Sequence, residues 1–396
     1  MKEAKTVVLG VTGGISAYKA LDIISKLKKA DIDVHVIMTQ SSTEFINPIS
    51  FQALSQNNVI SNMFSEPKAY EIQHISLAKK ADLVLVAPAT ANIIGKIANG
   101  IADDMLSTTI MATDAKVIFA PAMNTKMYLN PIVQENISKL KKFGYGFISP
   151  SSGRLACGDV GVGKLQDTEV IVSEVLTMLY DIKDMLGKNV IVTAGPTLSP
   201  IDPVRYITNY SSGKMGYAIA EEARDRGAKV TLISGPSMLT VPNGVEFISV
   251  LTNEEMLNSI EAIFKNTNIV IKAAAVSDFK IKEYSKTKIK KKETDLHLDF
   301  TKNLDILKYL GSIKTHQLLV GFAAESNNVV SYAKEKLESK NLDYIVANDI
   351  TSVDTGFNSE DNKVTILSRN GKTVELKKMP KRQVAKELFD IINRVI

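Results

Sequence analysis

Cysteine is almost missing from this chain of 396 residues; Cys157 stands alone, which excludes a disulfide-stapled scaffold. Long apolar runs are missing too. No stretch reaches the 18 or more apolar residues that a membrane-spanning helix requires, so no membrane partner is expected. The run from Thr6 to Val11 is too short for the apolar core of a signal peptide. A strong charge excess is likewise absent. The 48 basic and 43 acidic side chains leave a formal charge of +5, too little to argue for nucleic acid. With 45% hydrophobic and 23% charged residues, disorder is excluded as the main state. What remains is a folded protein of a reducing compartment, with a cytoplasmic location expected. Its length exceeds one hydrophobic core and suits two domains of about 200 residues.

The first half alternates two periodicities. Residues 6–9, 34–38, 83–87 and 117–120 are short, near-continuous apolar runs, the pattern of parallel strands buried on both faces. Between them lie helical spacings, as at Ala17, Ala20, Leu21, Ile24 and Leu27, and around residues 93–98 and 132–140. Residues 149–164 break the pattern with four glycines, three serines and the cysteine, and read as a long mobile loop. A helix follows over residues 168–181, and the polar stretch 183–188 marks the boundary. The second half restarts the plan, with strands at 190–193, 229–233, 269–273, 318–322 and 344–347. A helix over 216–226 ends at the capping Gly227. Near the C-terminus, runs 364–368 and 373–376 flank Asn370-Gly371, a hairpin signal. The expected fold class is α/β: two doubly wound Rossmann-like or flavodoxin-like domains with mostly parallel sheets, residues 1–186 and 187–396.

Candidate chemistry gathers at the strand ends. The turn from Gly10 to Ser16 joins a strand to a helix, where backbone N–H groups and the helix dipole hold an anion; a tight turn with a capping serine is the plain alternative. The second strand ends in Thr39-Gln40-Ser41-Ser42-Thr43 instead of an acidic residue. That suits the phosphate of a mononucleotide such as FMN better than the ribose of NAD. Later strands end in Ala87-Pro88-Ala89-Thr90-Ala91-Asn92 and Pro121-Ala122-Met123-Asn124, although Thr90 also reads as a helix N-cap. His74 opens a helix and has no partner at metal-ligand spacing. Cys157 sits among glycines that deny it a packed core, so it reads as a reactive thiol and not as a small hydrophobe. In the second half, seven lysines lie within residues 280–292. Such a run is usually a solvated face, or a nucleic-acid patch, but it follows the small-residue strand end Ala273-Ala274-Ala275-Val276-Ser277-Asp278. A base slot beside ammonium groups suits a nucleoside triphosphate.

Together these segments resemble the bifunctional phosphopantothenoylcysteine decarboxylase/phosphopantothenate–cysteine ligases of coenzyme A biosynthesis, over essentially the whole chain and in the family's order. The resemblance rests on Thr12-Gly13-Gly14-Ile15-Ser16, the His74 segment, residues 87–92, Pro121-Ala122-Met123-Asn124 and Ala156-Cys157-Gly158-Asp159. It continues through Thr193-Ala194-Gly195-Pro196-Thr197, Ile201-Asp202-Pro203-Val204-Arg205, Asn209 with Ser211-Ser212-Gly213-Lys214-Met215-Gly216, residues 273–278 and Lys288-Ile289-Lys290-Lys291. Gly321-Phe322-Ala323-Ala324-Glu325 and Ala347-Asn348-Asp349 complete it. Two positions depart from the pattern: Tyr128 stands where the family has tryptophan, and Leu304 where it has proline.

The resemblance implies roles. Phosphopantothenate, CTP and cysteine would condense through an acyl-cytidylate, with Lys288 stabilising charge in the first step and Asn209 holding the intermediate. Ala273, Ala274, Ala275, Asp278, Phe322, Lys336 and Lys340 would bind the nucleotide, with the turn Leu304, Asp305, Ile306 and Leu307. Phosphopantothenoylcysteine would then be decarboxylated with FMN, through oxidation of its thiol to a thioaldehyde that serves as the electron sink. Gly14, Ile15, Ser16, Thr39, Gln40, Ser41, Thr90, Ala91, Asn92 and Ala122 would line the flavin, His74 and Asn124 would orient the substrate, and Cys157 would supply a proton. Magnesium is implied on the triphosphate without an identifiable ligand, and a homo-oligomer is implied. Two rivals are a flavin-binding protein without turnover, which would not need His74, Asn124 and Cys157, and a nucleic-acid-binding protein. The latter would want more interleaved aromatics than Phe279 and Tyr284.

Overall fold

The computed structural model describes residues 5–63, 72–156, 158–290, 296–325, 329–349 and 359–394. The chain divides into two compact units, Met1–Asp181 and Ile182–Ile396.

In chain order the first unit runs β1 (Thr6–Val11), a 3-10 turn (Ile15–Tyr18), α1 (Lys19–Lys29), β2 (Asp33–Met38), α2 (Gln40–Thr43), α3 (Pro48–Ser55) and α4 (Gln73–Lys80). It continues through β3 (Leu83–Ala89), α5 (Ala91–Ala98), α6 (Met105–Ala112), β4 (Lys116–Pro121), α7 (Thr125–Tyr128), α8 (Pro131–Lys142) and β5 (Gly146–Phe147). The hairpin β6 (Ser151–Arg154) and β7 (Val160–Lys164) and then α9 (Thr168–Leu179) close it. All neighbouring strands of the sheet are parallel, in the order β2-β1-β3-β4-β5. That is the flavodoxin-like order. Because β1 is buried at every position, its alternate side chains feed two cores. Val7 and Leu9 pack with α1, α3 and α9, while Val8 packs with α5, α6 and α8.

Two expectations change here. The buried face of α1 is Ala20, Ile23, Ile24 and Leu27, with Leu21 only partly buried and packed at the margin of the same core. Residues 151–154 and 160–164 are not a structureless loop but an antiparallel ladder. A ladder is held by backbone hydrogen bonds, so low apolar content did not prevent it.

The second unit runs β8 (Asn189–Ala194), β9 (Ser199–Pro200), β10 (Tyr206–Ile207), α10 (Lys214–Asp225), β11 (Lys229–Ser234), β12 (Glu246–Ser249), α11 (Asn253–Phe264) and β13 (Ile269–Lys272). Next come β14 (Phe279–Ile281), β15 (Phe300–Lys302), α12 (Ile306–Ile313), β16 (Leu318–Glu325), α13 (Val329–Ser339) and β17 (Tyr344–Asp349). Last are β18 (Asp361–Asn362), β19 (Val364–Ser368), β20 (Thr373–Glu375), β21 (Met379–Pro380) and α14 (Lys381–Ile392). The sheet order is β12-β11-β8-β13-β16-β17-β19-β20; the first six strands are parallel and the last two antiparallel. Counted within the unit, the parallel part is 3-2-1-4-5-6, the Rossmann order. The β19–β20 pair is the hairpin that Asn370-Gly371 signalled. Gly227, at φ +92°, follows α10 and returns its N–H to the Arg224 carbonyl at 2.8 Å.

One buried ion cluster ties this unit together. Arg226 is fully buried; it donates to Glu222 (2.7 Å), Asp184 (3.0 Å), Asp390 (2.5 Å) and the Lys386 carbonyl (3.0 Å). It thereby joins the segment before β8 to α10 and α14. Truncating Arg226 takes its guanidinium from the buried Glu222 and from the part-exposed Asp184 and Asp390, and unties the three segments at once. Arg226→Ala is therefore expected to destabilise the second unit by about 3–5 kcal/mol. Urea unfolding of the full chain checks this; an unchanged midpoint for that unit would refute it.

Candidate functional site

In a parallel sheet the loops leaving the carboxyl ends share one edge, and a crevice opens where the winding reverses. In the first unit that point lies between β1 and β3. The Thr12 hydroxyl closes it, donating to the Pro88 carbonyl (2.7 Å) and accepting the Thr90 N–H (3.2 Å). Gly13 must be glycine, since a Cβ there would stand 2.5 Å from the Ser41 Cβ. The β1 loop is thus pressed against the hydroxyl-rich start of α2. There the Thr39 hydroxyl is buried without a hydrogen-bond partner among the described residues.

A cavity of about 450 Å³ opens beside this loop. It brings together Gly14, Ile15, Ser16, Thr90, Ala122 and Asn124, with Met123, Met127, Leu155, Ala156 and Leu165 adding apolar walls. Thr90 occupies the N-cap position of α5, yet its side chain makes no capping bond. The Asn124 carboxamide is set from both ends: its Oδ1 accepts the Lys126 N–H (2.8 Å) and its Nδ2 donates to Asp159 of the hairpin (3.0 Å). Thr39, Gln40, Ser41, Ala91 and Asn92 lie at the same edge but do not line the cavity. Nor does His74, on the first turn of α4. Cys157 lies outside the described residues. Among those described, no group of three or more His, Cys, Asp or Glu is placed to hold a metal ion.

In the second unit the reversal lies between β8 and β13. The loops after β8 and β11 interlock so closely that a Cβ on Gly235 would stand 1.7 Å from the Pro196 carbonyl oxygen. A cavity of about 520 Å³ lies beside them. It gathers Asn209, Ala273, Ala274, Ala275, Asp278, Leu307, Phe322, Lys336 and Lys340. Asn209 donates to the Ala275 carbonyl (3.0 Å), and Lys340 pairs with Asp305 (2.8 Å), whose other oxygen caps α12 at Lys308 N (3.1 Å). Asp305, Ile306, Leu304 and Lys288 do not line the cavity. Ile306 is buried in the core, Leu304 is exposed and offers its carbonyl to Asn253 (2.8 Å), and Lys288 is exposed.

The segment carrying Lys288 is held from below. Asp202, buried, accepts Val204 N and Arg205 N on one oxygen and the Arg205 guanidinium and Ile289 N on the other. The Arg205 guanidinium beside it, with these backbone donors, holds the Asp202 carboxyl well below the usual carboxylate range.

Known proteins match both units. Residues 1–180 fit a family model described as Flavoprotein. Residues 185–395 fit that of the DNA/pantothenate metabolism flavoprotein C-terminal domain. The chain is 48% identical, over 395 residues, to the coenzyme A biosynthesis bifunctional protein CoaBC of Bacillus subtilis, covering 99% of this chain and 97% of that one. With the CoaBC of Haemophilus influenzae the identity is 43% over 394 residues, again covering 99% and 97%. The chain belongs to the CoaBC family. A crystal structure of a CoaBC C-terminal domain aligns at 41% identity over 54% of this chain and 97% of that domain, with a TM-score of 0.47. CoaBC proteins are bifunctional enzymes of coenzyme A biosynthesis, and this chain is accordingly a phosphopantothenoylcysteine decarboxylase and a phosphopantothenate–cysteine ligase.

Sequence reasoning missed several cavity residues of this CoaBC chain. Asn348 lines the second cavity with its Oδ1 buried and without a hydrogen-bond partner among the described residues, and Lys272, Asn362 and Lys381 line it too. Lys272, a lysine ending the apolar run 269–271, and Asn348, directly after the run 344–347, carried a readable signal at the carboxyl edge.

Two outcomes are expected. Gly13→Ala pushes the β1 loop off Ser41 and should cost the purified protein its visible flavin absorbance; full flavin content would contradict the close-approach argument. Asp202→Asn removes the acceptor that pins residue 289, so ligase turnover should fall about tenfold or more while decarboxylation is unchanged. The sign with pH follows: a carboxylate with a lowered pKa keeps this brace above its unfolded pKa and loses it only as pH falls through the lowered value. Ligase activity should therefore not fall through Asp202 across the neutral range.

Proposed function

We propose that each unit carries one of the two activities: the first an FMN-dependent decarboxylase, the second a CTP-dependent ligase. The observation that carries this division is the contrast between two cavities at equivalent reversal points. The first has mostly apolar walls beside a hydroxyl-bearing turn, with Lys19, Arg154 and Lys164 also among its lining residues. The second is lined, among the described residues, by five lysines (Lys214, Lys272, Lys336, Lys340 and Lys381) and one carboxylate, Asp278. Apolar walls suit a planar ring, and converging ammonium groups suit a polyphosphate.

The residues of the first unit fit FMN. The capping-free Thr90 hydroxyl supplies a polar contact on the cavity wall, and Gly13 permits the close backbone approach, with the partnerless Thr39 hydroxyl behind it at the same edge. When bound, FMN supplies the two-electron oxidation that makes loss of the substrate carboxylate possible. The chain's own part is positional. Asn124, oriented by Lys126 N and Asp159, places its carboxamide at the substrate carboxylate, and Leu155, Ala156 and Leu165 supply apolar wall. In this reading Cys157 donates the final proton.

In the second unit the carboxylate of phosphopantothenate attacks the α-phosphate of CTP, displacing pyrophosphate, and the cysteine amine then displaces CMP. Lys288 offsets charge in the first step, and Asn209 holds the acyl-cytidylate. Magnesium accompanies the triphosphate. We place the enzyme in the cytoplasm as a homo-oligomer. The exposed Ile15 and Tyr18 at the mouth of the first cavity supply apolar surface for a second copy, and sedimentation as a monomer would overturn that assembly.

Mass analysis of products from phosphopantothenate, CTP and cysteine tests the reading as a whole. Phosphopantetheine, CMP, pyrophosphate and carbon dioxide are expected, and absence of CMP would refute the ligase assignment. Cys157→Ser should bind FMN normally and accumulate an oxidised decarboxylated product, whereas normal turnover would remove Cys157 from the mechanism. Lys288→Gln should abolish acyl-cytidylate formation and leave decarboxylation intact. Loss of both activities together would refute separate sites.

A further inference from the structure

One cation in the second cavity has no counter-charge within the described protein. Lys272 is the last residue of β13 and stands in register with Gly321 of β16. Strand alternation puts its side chain on the face of Val270 and Ala274, which packs with α11, α12 and α13. The side chain is half-buried, but its ammonium lies deep among protein atoms and lines the cavity beside Leu307, Leu342 and Ile345. Its one hydrogen bond is a long one, 3.3 Å, to the Ala274 carbonyl. Among the described residues, no carboxylate lies within ion-pair distance of it. The charged groups facing it are Lys336 on α13, Lys340 just past that helix, Asp305 at the N-cap of α12 and Asp278 after β13. Asp305 is already committed to Lys340 at 2.8 Å.

Burying an unpaired ammonium is costly, and a methionine or leucine would pack at this apolar wall without that cost. The arrangement is explained when the missing counter-charge arrives with the ligand. We propose that Lys272 is a nucleotide-binding residue of the ligase cavity, its ammonium donating to an oxygen of the bound nucleotide and drawing its counter-charge from it. The proposal rests on reading the second unit as a CTP-dependent ligase, and deepens that reading by naming a contact.

A proton linkage follows. Burial, together with the nearby Lys340, holds the Lys272 ammonium down at about 8. An anionic ligand stabilises the charged form and raises the value, so binding takes up a proton, and affinity falls as pH rises above about 8.

Calorimetric titration of the full-length enzyme with CTP at pH 8, in two buffers of different ionisation enthalpy, reads both quantities. Wild type should take up about half a proton per site, since the free ammonium is half-titrated near pH 8. Lys272→Met, and separately Lys272→Gln, should bind CTP about tenfold or more weakly and lose that uptake. Unchanged circular dichroism would show that the variants fold. CTP binding that keeps its affinity and proton uptake in both variants overturns this proposal alone. A wild-type enzyme that binds no CTP overturns the ligase reading beneath it.

Discussion

Both units depend on one constraint: parallel strands deliver their loops to a single edge, and neighbouring loops can pack together next to the reversal point only where side chains are withheld. Gly13 against Ser41 and Gly235 against Pro196 are the tight passages. Each lies beside a cavity, so the glycines serve the ligand by letting two backbones close on each other. The reversal point of the first unit is itself locked by a small hydroxyl, Thr12, which bridges the ends of β1 and β3 from within the crevice. The same withheld side chains that make the turns possible leave backbone groups at the edge where a phosphate or a planar ring would lie.

Charge is used in two opposite ways in the second unit. Arg226 is buried with its donors satisfied by three carboxylates and a carbonyl, and so serves as a fixed joint between α10, α14 and the segment before β8. Lys272 is deep without such partners and faces a cavity. A buried charge that the protein satisfies itself adds rigidity; one left to its surroundings is poised for something that enters. The other lysines around the second cavity have partners of their own: Lys214 pairs with Glu360, Lys381 donates to the Ser359 carbonyl, and Asp305 holds Lys340 in place while capping a helix.

Much of this was legible in the sequence because buried parallel strands are short apolar runs, and their ends are therefore visible. The strand ends at residues 87–92, 121–124 and 273–278 are where the structure places the cavities. Periodicity failed at two points. Ile23 is fully buried on α1 where Leu21 is only partly so, and a glycine-rich stretch concealed the β6–β7 ladder. Residues that reach a site from elements distant in sequence leave no local signal. Lys381 begins α14, over a hundred residues from the Ala273 turn, and nothing in its neighbours marks it as a wall of the same cavity.

Asn124 shows how such long-range placement becomes chemical control. A carboxamide free to rotate would present its oxygen and its amino group to a substrate carboxylate with equal ease, and only the amino group attracts it. The Lys126 N–H claims the oxygen, which fixes the flip, and Asp159 then aligns the amino group from the hairpin. Asn124 itself lines the cavity, so the orientation set from the hairpin reaches the cavity wall directly. The hairpin is thus both a wall of the first cavity and a part of the frame that orients its polar floor. A ladder built from backbone bonds and glycines can do both, because it needs no apolar core of its own.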